Sequence, residues 1–320
     1  QVDQAHWSLH LVRSACRGVV TPPSSYMLIC RKGKPEAAYE ASDTLGQGSF
    51  GTVYLGEDLT NVDRKVALKS IVVKPRKTAS WEEVVAEAEL LQKLRHPHVL
   101  RCYEWFEEEG NSVESMGRKM WIVMEYMDGG DLNSLYNSRR RAFASPMEPP
   151  FIRRVITSVG GALKYIHTMG FLHRDVKCMN VLLSRSYDKM VLADFGLSCS
   201  IETSSQVAES ERHSAMGTPT YMSPEVLCGK PHSVSSDAWS LGVLAFKLAA
   251  LVRPFAARDD TTLTMRIVKD EPKELPVGCA ADVANAVMGL LDKDPHKRLL
   301  AEDAMTWTQD APIARLSCMG

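Results

Sequence analysis

The residues with the clearest capacity for chemistry are His173-Arg174-Asp175-Val176-Lys177-Cys178-Met179-Asn180. This short loop carries a base in Asp175, a phosphate-neutralising cation in Lys177 and an oxygen ligand for a metal in Asn180. Asp194-Phe195-Gly196 follows at a distance that brings in a second metal ligand, Asp194. A turn aspartate before glycine is the bland reading of Asp194, and its spacing from Asn180 argues against it. Such a loop works only if other elements hold its groups in place.

Two further segments handle phosphate. Gly46-Gln47-Gly48-Ser49-Phe50-Gly51-Thr52-Val53 is a glycine loop whose backbone can approach phosphate oxygens. Dinucleotide folds use a similar string, but there a helix follows the last glycine, whereas Thr52-Val53-Tyr54-Leu55 continues as strand. Val66-Ala67-Leu68-Lys69 puts a lysine on an apolar strand. In isolation it reads as a solvated edge residue; buried beside phosphates it needs an anion when the site is empty. Glu87 is the candidate by its order between Lys69 and His96-Pro97, with Glu82, Glu83 and Glu89 as the solvated alternatives.

The positioning elements read as follows. Residues 39–54, 65–73 and 120–124 have strand character. Val84, Val85, Ala88, Leu91 and Leu94 have helical spacing. After Gly129-Gly130 the chain turns helical, over 149–167, a strongly apolar 235–251 and 282–291. Residues 107–119 and 138–149 read as surface loops, and residues 1–39 as an extension outside the main core. A strand-rich first part and a helix-rich second part, joined near residue 127, imply two lobes.

Composition sets the background. The 320 residues are 45% hydrophobic and 24% charged with a net charge of −1, a globular balance that points to neither a nucleic-acid nor a membrane partner. The 8 cysteines form no Cys-x-x-Cys pair and are irregularly spaced, which implies reduced thiols in the cytoplasm or nucleus. The apolar run 241–252 is interrupted by Lys247 and too short to span a bilayer. A first residue of Gln reads as a fragment or a processed form, in which a leader would be hidden.

In this order and spacing, the glycine loop, Val-Ala-Leu-Lys, His-Arg-Asp, Asp-Phe-Gly and Ser223-Pro224-Glu225 resemble a eukaryotic protein kinase over residues 40–307. The resemblance implies an α+β, two-lobed protein kinase fold. Its small β-rich N-lobe (40–127) has one regulatory helix, its larger helical C-lobe ends at 307, an ATP cleft lies between them, and 308–320 is a short tail. It implies ATP and Mg2+ as cofactors and protein substrates as partners, with no call on oligomeric state. Asp175 would accept the acceptor hydroxyl's proton, Lys177 would neutralise the transferring phosphate, and Asn180 and Asp194 would hold magnesium. Lys69 would hold the α- and β-phosphates with Glu87 as its partner. Gly46, Gly48 and Gly51 would cover the phosphates, and Val53, Ala67 and Leu182 would sandwich the adenine. Met124 would be the gatekeeper, with Glu125 and Met127 bonding the adenine through their backbones. Asp131 would reach the ribose or cap the helix that follows it, with equal claim to either.

Further roles follow from the same resemblance. Leu91, Cys102, His173 and Phe195 fall in the family's regulatory column, Asp237 anchors the catalytic loop, and Glu225 with Arg298 occupies the place of a buried ion pair. Lys177 and Gly217-Thr218-Pro219-Thr220-Tyr221-Met222-Ser223-Pro224-Glu225 resemble the serine/threonine class, and Thr218 would contact Asp175 and Lys177. The string from Ile122 to Leu132 and that from Ser236 to Gly242 are most similar to the NIMA-related (NEK) family. Ser214 falls where that family carries its activating phosphoserine, which Arg174 would meet; Ser204, Ser205 and Ser210 are the alternatives. Cys199 departs from the pattern where many relatives have Arg or Lys, and no heptads support a dimerising tail. The rival reading is a pseudokinase or scaffold that binds ATP and partners without efficient transfer. It predicts loss of Lys69, Asp175 or Asp194, and all three are present.

Overall fold

A computed structural model describes residues 27–30, 37–48, 51–61, 63–73, 80–108, 118–142, 145–195, 198–201 and 219–309. The chain divides into two compact units, residues 1–81 with 104–126, and residues 82–103 with 127–320.

The first unit is built on a six-stranded sheet ordered β1-β2-β3-β4-β6-β5. Its strands are β1 (Met27–Cys30), β2 (Ala37–Gly48), β3 (Gly51–Asp58), β4 (Lys65–Val73), β5 (Cys102–Glu107) and β6 (Arg118–Glu125). The antiparallel register places Val53 opposite Lys69, and Ala67 opposite both Leu55 and Met124. Cross-strand partners share a face, so Val53, Ala67, Lys69 and Met124 line one side of the sheet. Tyr54, Leu68, Trp121 and Val123 take the other side, where the Tyr54 and Trp121 rings meet at 5.8 Å and Leu68, Trp121 and Val123 are fully buried. The expectation that residues 1–39 lie outside the core is corrected here: β1 pairs with β2 through Met27–Ala41, Leu28–Glu40 and Ile29–Tyr39, and Ile29 is fully buried. The physical reason is a short apolar run, Met27-Leu28-Ile29, which gives the sheet an edge strand.

The second unit is mostly helical. It contains α1 (Trp81–Lys93) from Glu82 on, α2 (Leu132–Arg141), α3 (Pro149–Thr168) and the short pairs β7 (Phe171–Leu172) with β10 (Cys199–Ser200) and β8 (Val181–Leu183) with β9 (Met190–Leu192). The chain continues through α4 (Pro224–Leu227), α5 (Val234–Ala250), α6 (Asp260–Lys269), α7 (Ala281–Leu290) and α8 (Ala301–Gln309). Helix α1 was expected with the sheet but groups with the helices. The segment after it is tied to β9, with Leu192 N donating to His98 O and Leu100 N to Leu192 O, and the His96 ring stacks on Tyr165 of α3. Residues 138–141, expected in a loop, continue α2 to Arg141; residues 107, 118 and 119 belong to strands.

Helix α5 is the buried axis of this unit. Every residue from Ser235 to Ala249 is buried, which is why its sequence is apolar all round rather than striped. A reciprocal Ser233–Ser236 capping box starts it. Gly242 lets α5 and α7 approach, because a Cβ there would lie 2.8 Å from Leu290 Cβ. Among the described residues no helix is long and apolar enough to cross a membrane.

A bidentate ion pair closes the lower part of the unit. Arg298 Nη1 and Nη2 donate to the two carboxylate oxygens of Glu225 at 2.6 and 2.9 Å, and both residues are buried. Burial pushes the Glu225 carboxyl up, but the Arg298 hydrogen bonds and charge outweigh it and hold the pKa below the ordinary value. A depressed folded-state pKa stabilises above the unfolded value and loses that contribution as pH falls through the folded one. Glu225→Ala, which leaves a buried guanidinium unpaired, is expected to cost about 3–5 kcal/mol at neutral pH. Urea unfolding as a function of pH is the check: the gap between variant and wild type should narrow as Glu225 protonates, and a pH-independent gap would refute this account.

Candidate active site

The loop from His173 to Asn180 hangs from α5. Asp237, almost fully buried, accepts from His173 N and Arg174 N at 2.9 Å each, while its Oδ2 also lies 2.8 Å from His167 Nε2. Burial raises the Asp237 pKa, yet the His167 hydrogen bond and charge, with His173, hold it below the ordinary value. The carboxylate is therefore ionised while it anchors the loop. His167 was not singled out in the sequence, where it is one histidine at the end of α3; the apolar run around Asp237 was the signal that pointed to a buried anion.

His173 locks the next link. Its Nδ1 accepts from Asp175 N at 3.3 Å, so Nε2 carries the proton and donates to Ala193 O at 3.2 Å. Full burial pushes the ring pKa down, which keeps the imidazole neutral. The ring also packs on Phe195, with centroids 4.9 Å apart. Leu91, Cys102, His173 and Phe195 are all buried.

Asp175, Lys177 and Asn180 converge. Lys177 Nζ donates to Asp175 Oδ2 at 2.7 Å. Asn180 Nδ2 donates to the backbone O of Asp175 at 2.8 Å and to its Oδ2 at 2.9 Å. With its nitrogen committed to Asp175, the buried Asn180 amide is left with Oδ1, an acceptor suited to a hard cation. The β8–β9 hairpin carries the two expected oxygen ligands at its ends, with Asn180 just before β8 and Asp194 just after Ala193. Ala193 N donates to Asn180 O at 2.8 Å. No group of three or more His, Cys, Asp or Glu among the described residues is built to hold a metal. A pair of oxygen donors fits magnesium, which keeps waters and substrate phosphates in the rest of its shell. Arg174 and Asp194 are held at φ 67° and 62°, the left-handed region.

The remaining expected residues are placed as follows. Asp131 caps α2, accepting from Ser134 N at 2.9 Å and Ser134 Oγ at 2.7 Å, so the capping role is realised. Leu182 pairs with Val191 and bridges to Asp131, and Met127 is buried. In the first unit, Gly46 lies opposite Val53 and Gly48 opposite Gly51 at the hairpin, and Glu125 opposite Val66. Gly51 has φ 138° and approaches β4 so closely that a Cβ would sit 1.9 Å from Ser70 O. Lys69 stands on β4 and Glu87, half-buried, on α1. Ser49, Phe50, Gly196, Ser204, Ser205, Ser210, Ser214, Gly217 and Thr218 lie outside the described residues. Cys199 is placed by its backbone, opposite Leu172.

The sequence matches a family model. The model of the protein kinase domain covers residues 39–308. The chain belongs to the protein kinase family. It is 30% identical over 264 residues to human serine/threonine-protein kinase Nek5 (81% of this chain, 34% of the relative). It is 30% identical over 267 residues to human serine/threonine-protein kinase ULK3 (82% and 52%). It is 33% identical over 262 residues to serine/threonine-protein kinase RUNKEL of Arabidopsis thaliana (82% and 18%). The chain thus spans between about a fifth and a half of the length of these relatives.

The Asp237 anchor carries a test. Asp237→Ala strips two buried backbone N–H groups of their acceptor and is expected to cost about 2–5 kcal/mol and the order of the loop. Asp237→Asn keeps one accepting oxygen and should recover part of the loss. Thermal unfolding of the two variants measures this, and an alanine variant as stable as wild type would remove the anchor role.

Proposed function

We propose that this chain transfers the γ-phosphate of ATP to serine and threonine hydroxyls of protein substrates. The observation that carries the reading is the Asp175–Lys177–Asn180 cluster, held by Asp237 and set beside Asp194. The Asp175 carboxylate accepts the acceptor hydroxyl's proton as the phosphorus–oxygen bond forms. Lys177 stabilises the charge that shifts onto the transferring group, and its 2.7 Å bond to Asp175 holds that carboxylate in place. Asn180 and Asp194 would hold magnesium, which supplies neutralisation of the phosphate oxygens when bound. Family resemblance assigns Lys69 to the α- and β-phosphates and Glu87 to Lys69.

The finer reading is a NEK-like kinase switched by phosphorylation of Ser214. Relatives with similar identity carry the names Nek5, ULK3 and PLK4, so the subfamily rests on the motif strings rather than on overall identity. Support for the switch comes from Arg174, whose buried Nε has no hydrogen-bond partner among the described residues and suits an anion. A reducing compartment, the cytoplasm or nucleus, fits the free thiols of Cys178, Cys228 and Cys279.

Two measurements test these statements. With magnesium ATP and casein, Asp175→Asn should lower the transfer rate by about 10²–10⁴-fold while nucleotide binding persists; a wild type that binds ATP but incorporates no phosphate would favour the scaffold reading. Ser214→Ala should lower the rate by roughly tenfold or more, the worth of a charge-assisted contact, and full activity in that variant would end the switch proposal.

A further inference from the structure

Lys247 is a buried cation that the transfer chemistry does not use. It lies on α5, 5% exposed, and donates to the Tyr221 hydroxyl at 2.6 Å. Its ammonium sits 4.5 Å over the Tyr136 ring and 5.0 Å over that of Tyr221. No carboxylate among the described residues lies within ion-pair distance of it. Burial lowers its pKa, and the charges of Arg253 and Arg140 lower it further.

Those two arginines belong to a larger group. Tyr136 donates to Leu251 O at 3.1 Å and so joins α2 to the end of α5. Arg140 lies one turn after Tyr136 on the same face of α2, and Arg253 follows Leu251. Both charges act on Tyr136 as well as on Lys247. Arg139, Arg140, Arg141 and Arg253 are exposed, and none has a carboxylate partner among the described residues. Basic residues in the last turn of α2 complement its dipole, which accounts for a cation or two there. It does not account for Arg253, which lies outside that helix, nor for gathering cations around a buried ammonium, where like charges repel.

The cluster adjoins the catalytic machinery. Tyr221 belongs to the turn Pro219–Tyr221, in the segment that resembles the peptide-docking floor. The buried Cys178 thiol, in the catalytic loop beside Lys177, interacts with both the Tyr221 hydroxyl and the Lys247 ammonium. An extended peptide advances about 3.3 Å per residue, so residues flanking an acceptor project well beyond Asp175.

We propose that Arg140 and Arg253, backed by Lys247, form a docking site for carboxylate side chains that flank the acceptor in a protein substrate. Arginine suits this role because its guanidinium pairs with carboxylates through two parallel hydrogen bonds. The inference rests on the phosphotransfer reading for its acceptor, and it assigns the substrate class to acidic segments.

Equilibrium binding separates the two. Three fluorescent peptides share a serine acceptor and differ only in carrying Asp and Glu, neutral residues, or Lys and Arg within four positions of it. Fluorescence anisotropy at low salt should show the acidic peptide bound about tenfold more tightly than the neutral one, the sum of a few exposed ion pairs. The gap should shrink as salt is raised through about 0.15 M. Arg140→Ala combined with Arg253→Ala, both at exposed positions, should bind all three peptides alike. Acidic and neutral peptides bound equally by wild type, or a preference undiminished in the double variant, would overturn the proposal. Phosphate incorporation is read in parallel: acidic preference in binding with no incorporation into any peptide would refute the transfer reading and leave the docking site standing.

Discussion

A single buried carboxylate organises the catalytic half of this molecule. Asp237 sits on a helix with no solvent face, so its charge has no water to stabilise it. Hydrogen bonds from the His173 and Arg174 amides and from His167 take that role. Removing a partner from such a group costs more than the partner's own net worth, because a buried charge is left behind. The loop is therefore held as a unit: the same residues that satisfy Asp237 fix where Asp175 and Asn180 project. His173 extends the arrangement outward, one ring nitrogen serving the loop and the other the Ala193 carbonyl next to Asp194.

The polar groups of the site have little redundancy. Asn180 uses its nitrogen on Asp175 and keeps its oxygen, so in the proposed transfer one amide would serve both the base and the metal. Lys177 and Asn180 share one carboxylate oxygen, Asp175 Oδ2, which would leave Oδ1 for the hydroxyl proton in the proposed transfer. In the sheet unit the division is made by strand alternation: Val53, Ala67, Lys69 and Met124 face one way because the register pairs them, while Tyr54, Leu68 and Trp121 fill the opposite side. Short spacing in the sequence and pairing across strands thus reach the same end by different routes.

Much of this was legible in the residues. The His-Arg-Asp and Asp-Phe-Gly strings, the glycine hairpin and the lysine strand pointed to the candidate site, because loops that do chemistry carry their groups at fixed short spacings, and the change from strand to helix character near residue 127 gave the two-part organisation. The apolar stretch around Asp237 gave the buried helix. What stayed hidden depended on partners far along the chain. The edge strand at Met27–Cys30 is only four residues long and follows a Thr-Pro-Pro-Ser-Ser cluster, so its pairing with β2 left little local trace. The C-terminal turn of α2, rich in arginine, read as a loop because its apolar anchors, Leu132 and Tyr136, lie at its other end. The grouping of α1 with the helices, the His167 contact and the Lys247–Tyr221 bond are tertiary facts that no periodicity encodes.

Arg174 and Asp194 take backbone angles that an L-residue adopts only at a cost of about 1 kcal/mol or more each, and glycine would adopt them freely. The strain sits on the residue next to Asp175 and on Asp194, which the proposed transfer would use beside the base and as the second oxygen ligand. Glycine at either position would relax the backbone and remove the one side chain that the position exists to present. Under the proposed transfer, the sequence that folds best and the sequence that works differ at these two places. Under that reading, selection for stability alone would drift the chain toward an inert relative with the same fold.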